Sequence, residues 1–359
     1  MTHGYKKKMY KTVGVCGYVA TGSSAFSDFL REFDDVQVLD FFEFLFAYVT
    51  DGLEDLEYHL NNYHKFSHSV VAIERFRKLM KINEYNRLYG KNFYKTTNAF
   101  IKNIIQFSWR GYSSLVDQFV CSKGEQFLKK YIFKLLKTLK NKKILGMYAR
   151  FFTYNMELSI MPEDFEKEAH IFISHILDVM GRDRQRITVL DQPFEASNPV
   201  KSFKFFDNPK AIVVDRDPRD HYLFVKNFLR PRGIGYQVPC NNVDDYIKYF
   251  RLVHQSPFRA WDRDDVIHIN FESFIYDYEN TKKKIMDFVE ITNHVHKGIY
   301  FKPTHSRNNT QLFKKYIGFE SDIMKIEKEL PEYIFHFDNF PNVKEEGSMF
   351  WGSQNRKGL

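Results

Sequence analysis

The chain has 359 residues, of which 43% are hydrophobic, and carries a formal net charge of +8 at pH 7. A chain of this size can bury a large core, as one large α/β domain or as two smaller domains. No window approaches the ~18 consecutive apolar residues of a membrane span, and residues 1–11 lack an apolar signal region. We therefore expect a soluble, cytoplasmic protein. The three cysteines are widely separated, so neither a disulfide framework nor a zinc site is indicated.

The positive charge is compatible with an anionic substrate, a nucleic acid or an anionic membrane surface. The lysines and arginines of the chain are scattered along the sequence rather than gathered into one block. No signature of a nucleic-acid-binding module occurs, so we expect no nucleic-acid partner. Peripheral contact with a membrane stays open as an alternative.

The first predicted strand runs directly into a loop of glycine and small hydroxyl residues. An apolar run over Thr12–Cys16 predicts the strand, and apolar spacing from residue 26 onward predicts a helix. Such a turn aims backbone N–H groups and a helix N-terminus at an anion. An ordinary tight turn before a capped helix is the alternative. The loop residues concerned are Gly17, Thr21, Gly22, Ser23 and Ser24.

A long stretch without predicted strands separates the second strand, Val36–Leu39, from the third. Across residues 41–186 the apolar spacing predicts helices. We interpret this stretch as a large helical insertion within a single domain of residues 1–359. A separate second domain is the alternative.

Three more strands are predicted after the insertion, over Ile187–Leu190, Ala211–Val214 and Val266–Asn270. Helical patterns separate the strands, which indicates βα units and a mostly parallel sheet flanked by helices. Two further helices are predicted over Asn280–Val289 and Ser321–Leu330, the second ending before a proline.

The fourth predicted strand ends in the turn Arg216–Asp220, with the sequence Arg-Asp-Pro-Arg-Asp. Guanidinium groups match the geometry of phosphate oxygens, and open α/β sheets bind ligands at the carboxyl ends of their strands. A surface turn in which Arg216 pairs with a neighbouring aspartate is the alternative. Two anion-binding turns on adjacent strand ends would suit a ligand with two separated anionic groups.

Together these segments resemble the P-loop-fold sulfotransferases, a family that transfers a sulfuryl group from 3′-phosphoadenylyl sulfate (PAPS). The likeness is greatest to bacterial, carbohydrate-modifying members. It implies an α/β, P-loop NTPase-like fold and in-line transfer to an acceptor hydroxyl, with a carbohydrate as the expected acceptor and the insertion on the acceptor side. The matching segments, in family order, are Gly17–Ser24, Val36–Glu43, Asp191–Pro193, Arg216–Asp220, Ile269–Phe274, Lys282–Phe288 and Ser306–Asn309.

The resemblance also implies a set of donor-binding residues. The first loop would hold the 5′-phosphosulfate, Arg216 would bind the 3′-phosphate, and a late Ser-x-x-Asn would approach the donor again. Glu272 would be structural. The implied donor-binding set is Gly17, Thr21, Gly22, Ser23, Ser24, Arg216, Arg219, Ser306 and Asn309.

Two positions depart from the family pattern. Ala20 stands where the family usually has a lysine or arginine that balances charge on the donor. Phe224 stands where it usually has a serine at the 3′-phosphate. Arg219, Lys201 and Lys204 are candidates for the missing cation.

The reaction needs a base for the acceptor hydroxyl and no metal ion. Asp191, at the end of the third predicted strand, is the first candidate for this base and Glu43 the second. A turn or helix cap is the alternative role for Asp191.

The alternative functions are a kinase and a non-catalytic protein. The first loop lacks the Gly-Lys-Ser/Thr ending of an ATP-binding loop, which counts against a kinase of the same broad fold. The substitutions at Ala20 and Phe224 keep a catalytically degenerate nucleotide-binding or scaffold protein in consideration.

Overall fold

The computed structural model describes residues 11–81, 91–138, 152–255, 263–341 and 344–345. Residues 1–10, most of the segment in which the sequence lacks a signal region, lie outside the described residues. The chain divides into two compact units, one formed by residues 1–45 with 182–359 and the other by residues 46–181. The second unit falls within the stretch 41–186.

The first unit contains a five-stranded parallel sheet. Its strands, labelled β1 to β5 in chain order, are Thr12–Gly17, Val36–Leu39, Ile187–Asp191, Pro209–Asp215 and Val266–Asn270. The order across the sheet is β2-β3-β1-β4-β5, and every neighbouring pair is parallel. The predicted fold, a P-loop NTPase-like parallel sheet flanked by helices, is confirmed. Because β1 lies at the centre, the loop that follows it lies between the carboxyl ends of β3 and β4.

In the first unit α-helices follow β1, β4 and β5, and a 3-10 helix follows β3. The α-helices are Ser23–Leu30, Pro218–Leu223, Val243–His254, Ser273–Tyr276, Tyr278–Val289, Pro303–Ser306, Leu312–Lys315 and Glu320–Glu329. A π-helix spans Phe224–Leu229, and 3-10 helices span Pro199–Phe205, Arg230–Arg232, Arg307–Asn309, Pro331–Tyr333 and Phe337–Asn339.

The core on one face of this sheet is built largely from aromatic rings. Alternate residues of β1, Val13 and Val15, point to this face, as the two-residue period of a strand requires. Phe26 of helix Ser23–Leu30 stacks on Phe274 at 4.5 Å, and Phe274 stacks on Phe301 at 4.4 Å. This packing fixes the helix that begins at the first loop against the segment that follows β5.

The second unit is mainly helical, with helices Leu53–Asn62, Phe66–Leu79, Lys91–Ile104, Ser114–Val120, Lys123–Thr138 and Phe165–Val179. The short 3-10 helix Leu45–Ala47 spans the boundary between the units. The unit also contains two antiparallel strands that the sequence did not predict, Phe107–Gly111 and Tyr154–Leu158. Most residues of these strands are exposed or half-buried, so their apolar pattern is weak.

Candidate active site

The strand β1 ends in a tight turn whose backbone is left-handed at Ala20 (φ 65°) and Gly22 (φ 93°). Thr21 closes the turn, because its backbone N–H and its Oγ1 both donate to the Tyr18 carbonyl, at 3.1 and 2.9 Å. Helix Ser23–Leu30 begins directly after Gly22. The first N–H groups of a helix have no intrahelical partner, so those at the start of this helix are placed to bind an anion.

Gly22 has no room for a side chain. A Cβ at this position would lie 2.6 Å from the Phe271 ring, and the φ of 93° is one that L-residues rarely adopt. We expect Gly22→Ala to lower the free energy of unfolding by about 2–4 kcal/mol, since backbone strain and overpacking add together. Urea unfolding measures the loss.

Gly233→Ala is the matched control for this prediction. Gly233 also has a positive φ, 78°, but a Cβ there would meet nothing within 4 Å. The control should therefore lose only about 1 kcal/mol, from backbone strain alone. Equal losses in the two variants would show that the Phe271 ring does not restrict the loop.

Gln192 is a residue of the site that sequence reasoning missed. It follows β3 with a left-handed backbone (φ 52°). Its Oε1 accepts from the Gly17 N–H at 3.0 Å, and its Nε2 donates to Ser23 Oγ at 3.4 Å. The side chain thus joins the beginning of the first loop to the beginning of the helix. Its position between Asp191 and a proline at a strand end was the only available signal.

The two candidate bases follow neighbouring strands, Asp191 at the end of β3 and Glu43 four residues after the end of β2. Asp191 is the last residue of β3 and pairs in register with Val15 of the central strand. The Phe44 N–H donates to the Asp191 carbonyl at 2.7 Å. Glu43 directly precedes Phe44, so its backbone lies close to the end of β3. Asp191 is half-buried and Glu43 is exposed. Both carboxylates are therefore at the carboxyl edge of the sheet, where the first loop also lies.

Arg216, directly after β4, connects the first loop with the late segment. The side chain is buried; its Nη1 donates to the Ala20 carbonyl at 3.0 Å and its Nη2 to the Asn309 carbonyl. A guanidinium carries five N–H bonds, so three of them have no acceptor among the described residues. The buried Nε–H is one of these three. Two segments about 290 residues apart, together with Arg216, thus meet at one guanidinium.

The late segment meets the site at Asn309. This residue ends the 3-10 helix Arg307–Asn309, and its buried Oδ1 has no hydrogen-bond partner in the described structure. Ser306 is the last residue of the helix before it and is half-buried. The structure therefore brings Asn309 to Arg216, with Ser306 one turn away along the same helical run.

Phe224 covers the guanidinium of Arg216. The Phe224 ring centroid lies 4.4 Å from the Arg216 Cζ, and the Phe271 ring centroid lies 5.3 Å from it. Cation–π contacts of this kind favour the charged guanidinium in a buried site. At the position where the sequence resemblance implies a serine, an aromatic ring therefore packs on the guanidinium of Arg216.

Arg219 is engaged within the protein. Its Nη2 donates to Asp217 Oδ2 at 2.7 Å and to the Phe335 carbonyl at 3.0 Å, and its Nη1 donates to Glu327 at 2.6 Å. The guanidinium also lies 4.1 Å from the Phe313 ring centroid. These contacts engage the guanidinium of Arg219 within the turn, whereas Arg216 is the arginine that contacts the first loop.

Three buried carboxyl groups surround Arg216 and organise the turn. Glu272 Oε1 accepts from the Asp217 N–H at 3.1 Å, and Asp220 accepts from the N–H groups of Gln311 and Leu312 at 2.7 and 2.6 Å. Burial, with the negative charges of Asp217 and Asp220, raises the pKa of Glu272 well above its ordinary value. Burial, with the charge of Asp217, raises the pKa of Asp220 to about 7.

His221 is a neutral group in this network. Its Nε2 lies 2.7 Å from the Val19 carbonyl and its Nδ1 lies 2.9 Å from the Tyr246 hydroxyl. Burial, together with the positive charge of Arg216, lowers the pKa of His221 to about 4, against the opposing effect of the bond to the Val19 carbonyl. The imidazole therefore holds the first loop in place without adding a positive charge at neutral pH.

The raised pKa of Asp220 predicts a pH-dependent stability. A carboxyl whose pKa is higher in the folded state binds its proton more tightly there, so the stabilisation is lost as pH rises from about 4 to about 7. Asp220→Asn cannot titrate. The free energy of unfolding of the wild type, relative to Asp220→Asn, should fall over this range by an amount on the order of a few kcal/mol. Urea unfolding across the range measures it, and a constant difference would contradict the assignment.

The known proteins that this chain resembles are similar to it in structure. No family model and no curated protein sequence matches the chain. Similar solved structures include a sulfotransferase from Alicyclobacillus acidocaldarius, with 10% identity, a TM-score of 0.35, and coverage of 88% of this chain and 94% of that one. The sulfotransferase domain of the Synechococcus PCC 7002 olefin synthase is 13% identical, with a TM-score of 0.33 and coverage of 86% of this chain and 82% of that one. The sulfotransferase domain from the curacin biosynthetic pathway is 12% identical, with a TM-score of 0.33 and coverage of 90% of this chain and 97% of that one.

These structures belong to the class that the sequence motifs resemble. The parallel strand order β2-β3-β1-β4-β5 defines the fold, and the contacts of Arg216 define the candidate site. Within the described ranges, no three His, Cys, Asp or Glu side chains are grouped so that they could hold a metal ion. Among the same residues, no helix combines the length and the apolar character needed to cross a membrane.

Proposed function

We propose that the chain is a sulfotransferase that moves a sulfuryl group from PAPS to a hydroxyl of an acceptor, with a carbohydrate as the acceptor class. One observation carries the proposal: the guanidinium of Arg216 hydrogen-bonds the first loop at Ala20 and the late segment at Asn309. The three segments that the donor would touch therefore meet in one place.

The first loop would bind the 5′-phosphosulfate. Its support is the left-handed Gly22 and the start of helix Ser23–Leu30, which has no side-chain cap among the described residues, with the hydroxyls of the loop beside it. Gln192 would keep this loop in its binding conformation through its bonds to Gly17 and Ser23. The proposed set is Gly17, Thr21, Gly22, Ser23 and Ser24, with Gln192 as a positioning residue.

The 3′-phosphate would lie against Arg216, Ser306 and Asn309. Among the described residues, only two of the five N–H bonds of Arg216 have acceptors in the protein, and charge-assisted bonds to phosphate are about twice as strong as neutral ones. The same guanidinium lies 3.0 Å from the carbonyl of Ala20, the residue that stands where the family has a cation. We infer that Arg216 also compensates for that missing charge.

Asp191 would accept the proton of the acceptor hydroxyl. It is half-buried at the end of β3, beside the strand that leads into the first loop, whereas Glu43 is exposed. General-base assistance of this kind contributes about 10²- to 10⁴-fold to a rate. The remainder of the catalysis would come from positioning and from N–H donors directed at the charge that develops during transfer.

A second candidate function is nucleotide binding without transfer. The observation that favours it is the Phe224 ring, which packs 4.4 Å from the Arg216 guanidinium where a polar side chain is expected. Such a ring narrows the space for a 3′-phosphate. This candidate predicts binding of the nucleotide with no turnover.

Incubation of the full chain with radiolabelled PAPS and a panel of mono- and oligosaccharides tests the proposal. Transfer of label to a sugar supports it, and its loss in Asp191→Asn ties the activity to the site. Binding of 3′,5′-adenosine bisphosphate (PAP), the desulfated donor, without transfer would favour the second candidate. Phosphate transfer from ATP with magnesium would overturn both in favour of a kinase.

A further inference from the structure

The helix Lys123–Thr138 in the second unit exposes a continuous apolar stripe. Three of its members, Phe127, Tyr131 and Leu135, recur every four residues, and Leu128 lies beside them. The four side chains are between 54% and 71% exposed. At 3.6 residues per turn they occupy an arc of about 100° of the helix surface. Large apolar side chains grouped in this way mark an interaction surface rather than scattered surface residues.

Lysines border this stripe along one side. Lys123, Lys130 and Lys134 are exposed, and their spacing of seven and four residues places them in one row next to the apolar arc. The helix carries five lysines against one glutamate, a net charge of +4. The stripe therefore has a cationic edge, which a second copy of the same stripe would not complement.

We propose that this helix binds the surface of an anionic membrane, with the stripe inserted at the headgroup level and the lysines against lipid phosphates. Helices that lie in a membrane interface combine an apolar face with a lysine-rich polar face. The aromatic side chains of Phe127 and Tyr131 suit the interface, because such rings concentrate at headgroup depth in membrane proteins. Binding at this surface is independent of the proposed sulfotransferase activity.

Vesicle flotation of the full-length protein tests the proposal. The protein should float with phosphatidylcholine vesicles that contain phosphatidylglycerol and remain unbound with pure phosphatidylcholine. Lys130→Gln/Lys134→Gln should weaken binding about 25-fold, since each lysine near an anionic surface contributes about fivefold. Phe127→Gln/Tyr131→Gln should lose at least about tenfold from the apolar contacts.

Lys248→Gln/Lys283→Gln is the matched charge control, because these exposed lysines lie on helices of the first unit. It should float like the wild type, and circular dichroism should show every variant folded. Failure of the wild type to float, or equal loss in the control, overturns the proposal. So does a wild-type dimer in sedimentation velocity that Phe127→Gln/Tyr131→Gln converts to a monomer, because the stripe is then a self-association surface.

Discussion

Replacing Asp191 with asparagine is expected to lower turnover by about 10²- to 10⁴-fold while leaving donor affinity nearly unchanged. The amide is almost isosteric with the carboxylate but cannot accept a proton at neutral pH. Asp191 lies at the end of β3, and its backbone is held by the register with Val15 and by the Phe44 N–H. The substitution should therefore remove the base without moving the strand end. Measuring kcat at saturating PAPS and the Kd of PAP separates the two effects.

Glu43→Gln is the matched control, since it makes the same chemical change on the adjacent strand connection. Glu43 is exposed, so its replacement should leave stability unchanged and turnover near normal. Near-normal turnover in Asp191→Asn would remove this residue as the base. A large loss in Glu43→Gln instead would transfer the role to the second candidate.

Arg216→Ala is expected to abolish the preference for a 3′-phosphate and to destabilise the fold. Its guanidinium joins the Ala20 and Asn309 carbonyls and lies among the buried carboxyls of Glu272 and Asp220. A hydrogen bond from a charged donor contributes about 1.5–3 kcal/mol, so losing the bonds to both carbonyls should cost about 3–6 kcal/mol. Arg216→Lys keeps the charge but lacks the planar fork that reaches two carbonyls. The lysine variant should therefore fold better than the alanine variant and still bind PAP weakly.

The matched control for this pair is Arg219→Lys in the same turn. Arg219 is equally buried but donates to Asp217, Glu327 and the Phe335 carbonyl. Its replacement should lower the free energy of unfolding while the folded fraction binds PAP as the wild type does. Calorimetric titration below the unfolding transition compares the two variants. Normal PAP affinity in Arg216→Lys would remove Arg216 from the site.

The sheet was predictable from the sequence because its strands are short, buried apolar runs. The predicted Val36–Leu39 and Val266–Asn270 coincide with the observed strands, and the other three differ by one or two residues at their ends. The order of the strands in the sheet was not predicted, because it depends on packing between distant segments rather than on a local pattern. The antiparallel pair Phe107–Gly111 and Tyr154–Leu158 was missed because half-exposed strands lack a clear alternation and their partners are far apart in the chain.

The candidate site was predictable only in its backbone. Tight turns at strand ends are predicted by the glycine and hydroxyl residues of the first loop and by the sequence Arg-Asp-Pro-Arg-Asp, because turns are encoded locally. The partners of each side chain depend on packing between distant segments. Sequence alone could not show that Gln192 holds the first loop, that Arg219 pairs with Glu327, or that Phe224 stacks on Arg216.

The central claim is that two distant turns bind opposite ends of one doubly anionic adenosine nucleotide. Isothermal titration of the wild-type protein with PAP and with AMP tests it directly, because the two ligands differ only in the 3′-phosphate. A charge-assisted bond contributes about 1.5–3 kcal/mol, so PAP should bind about 10- to 100-fold more tightly than AMP. Equal affinities for the two nucleotides, or no binding of either, would contradict the claim.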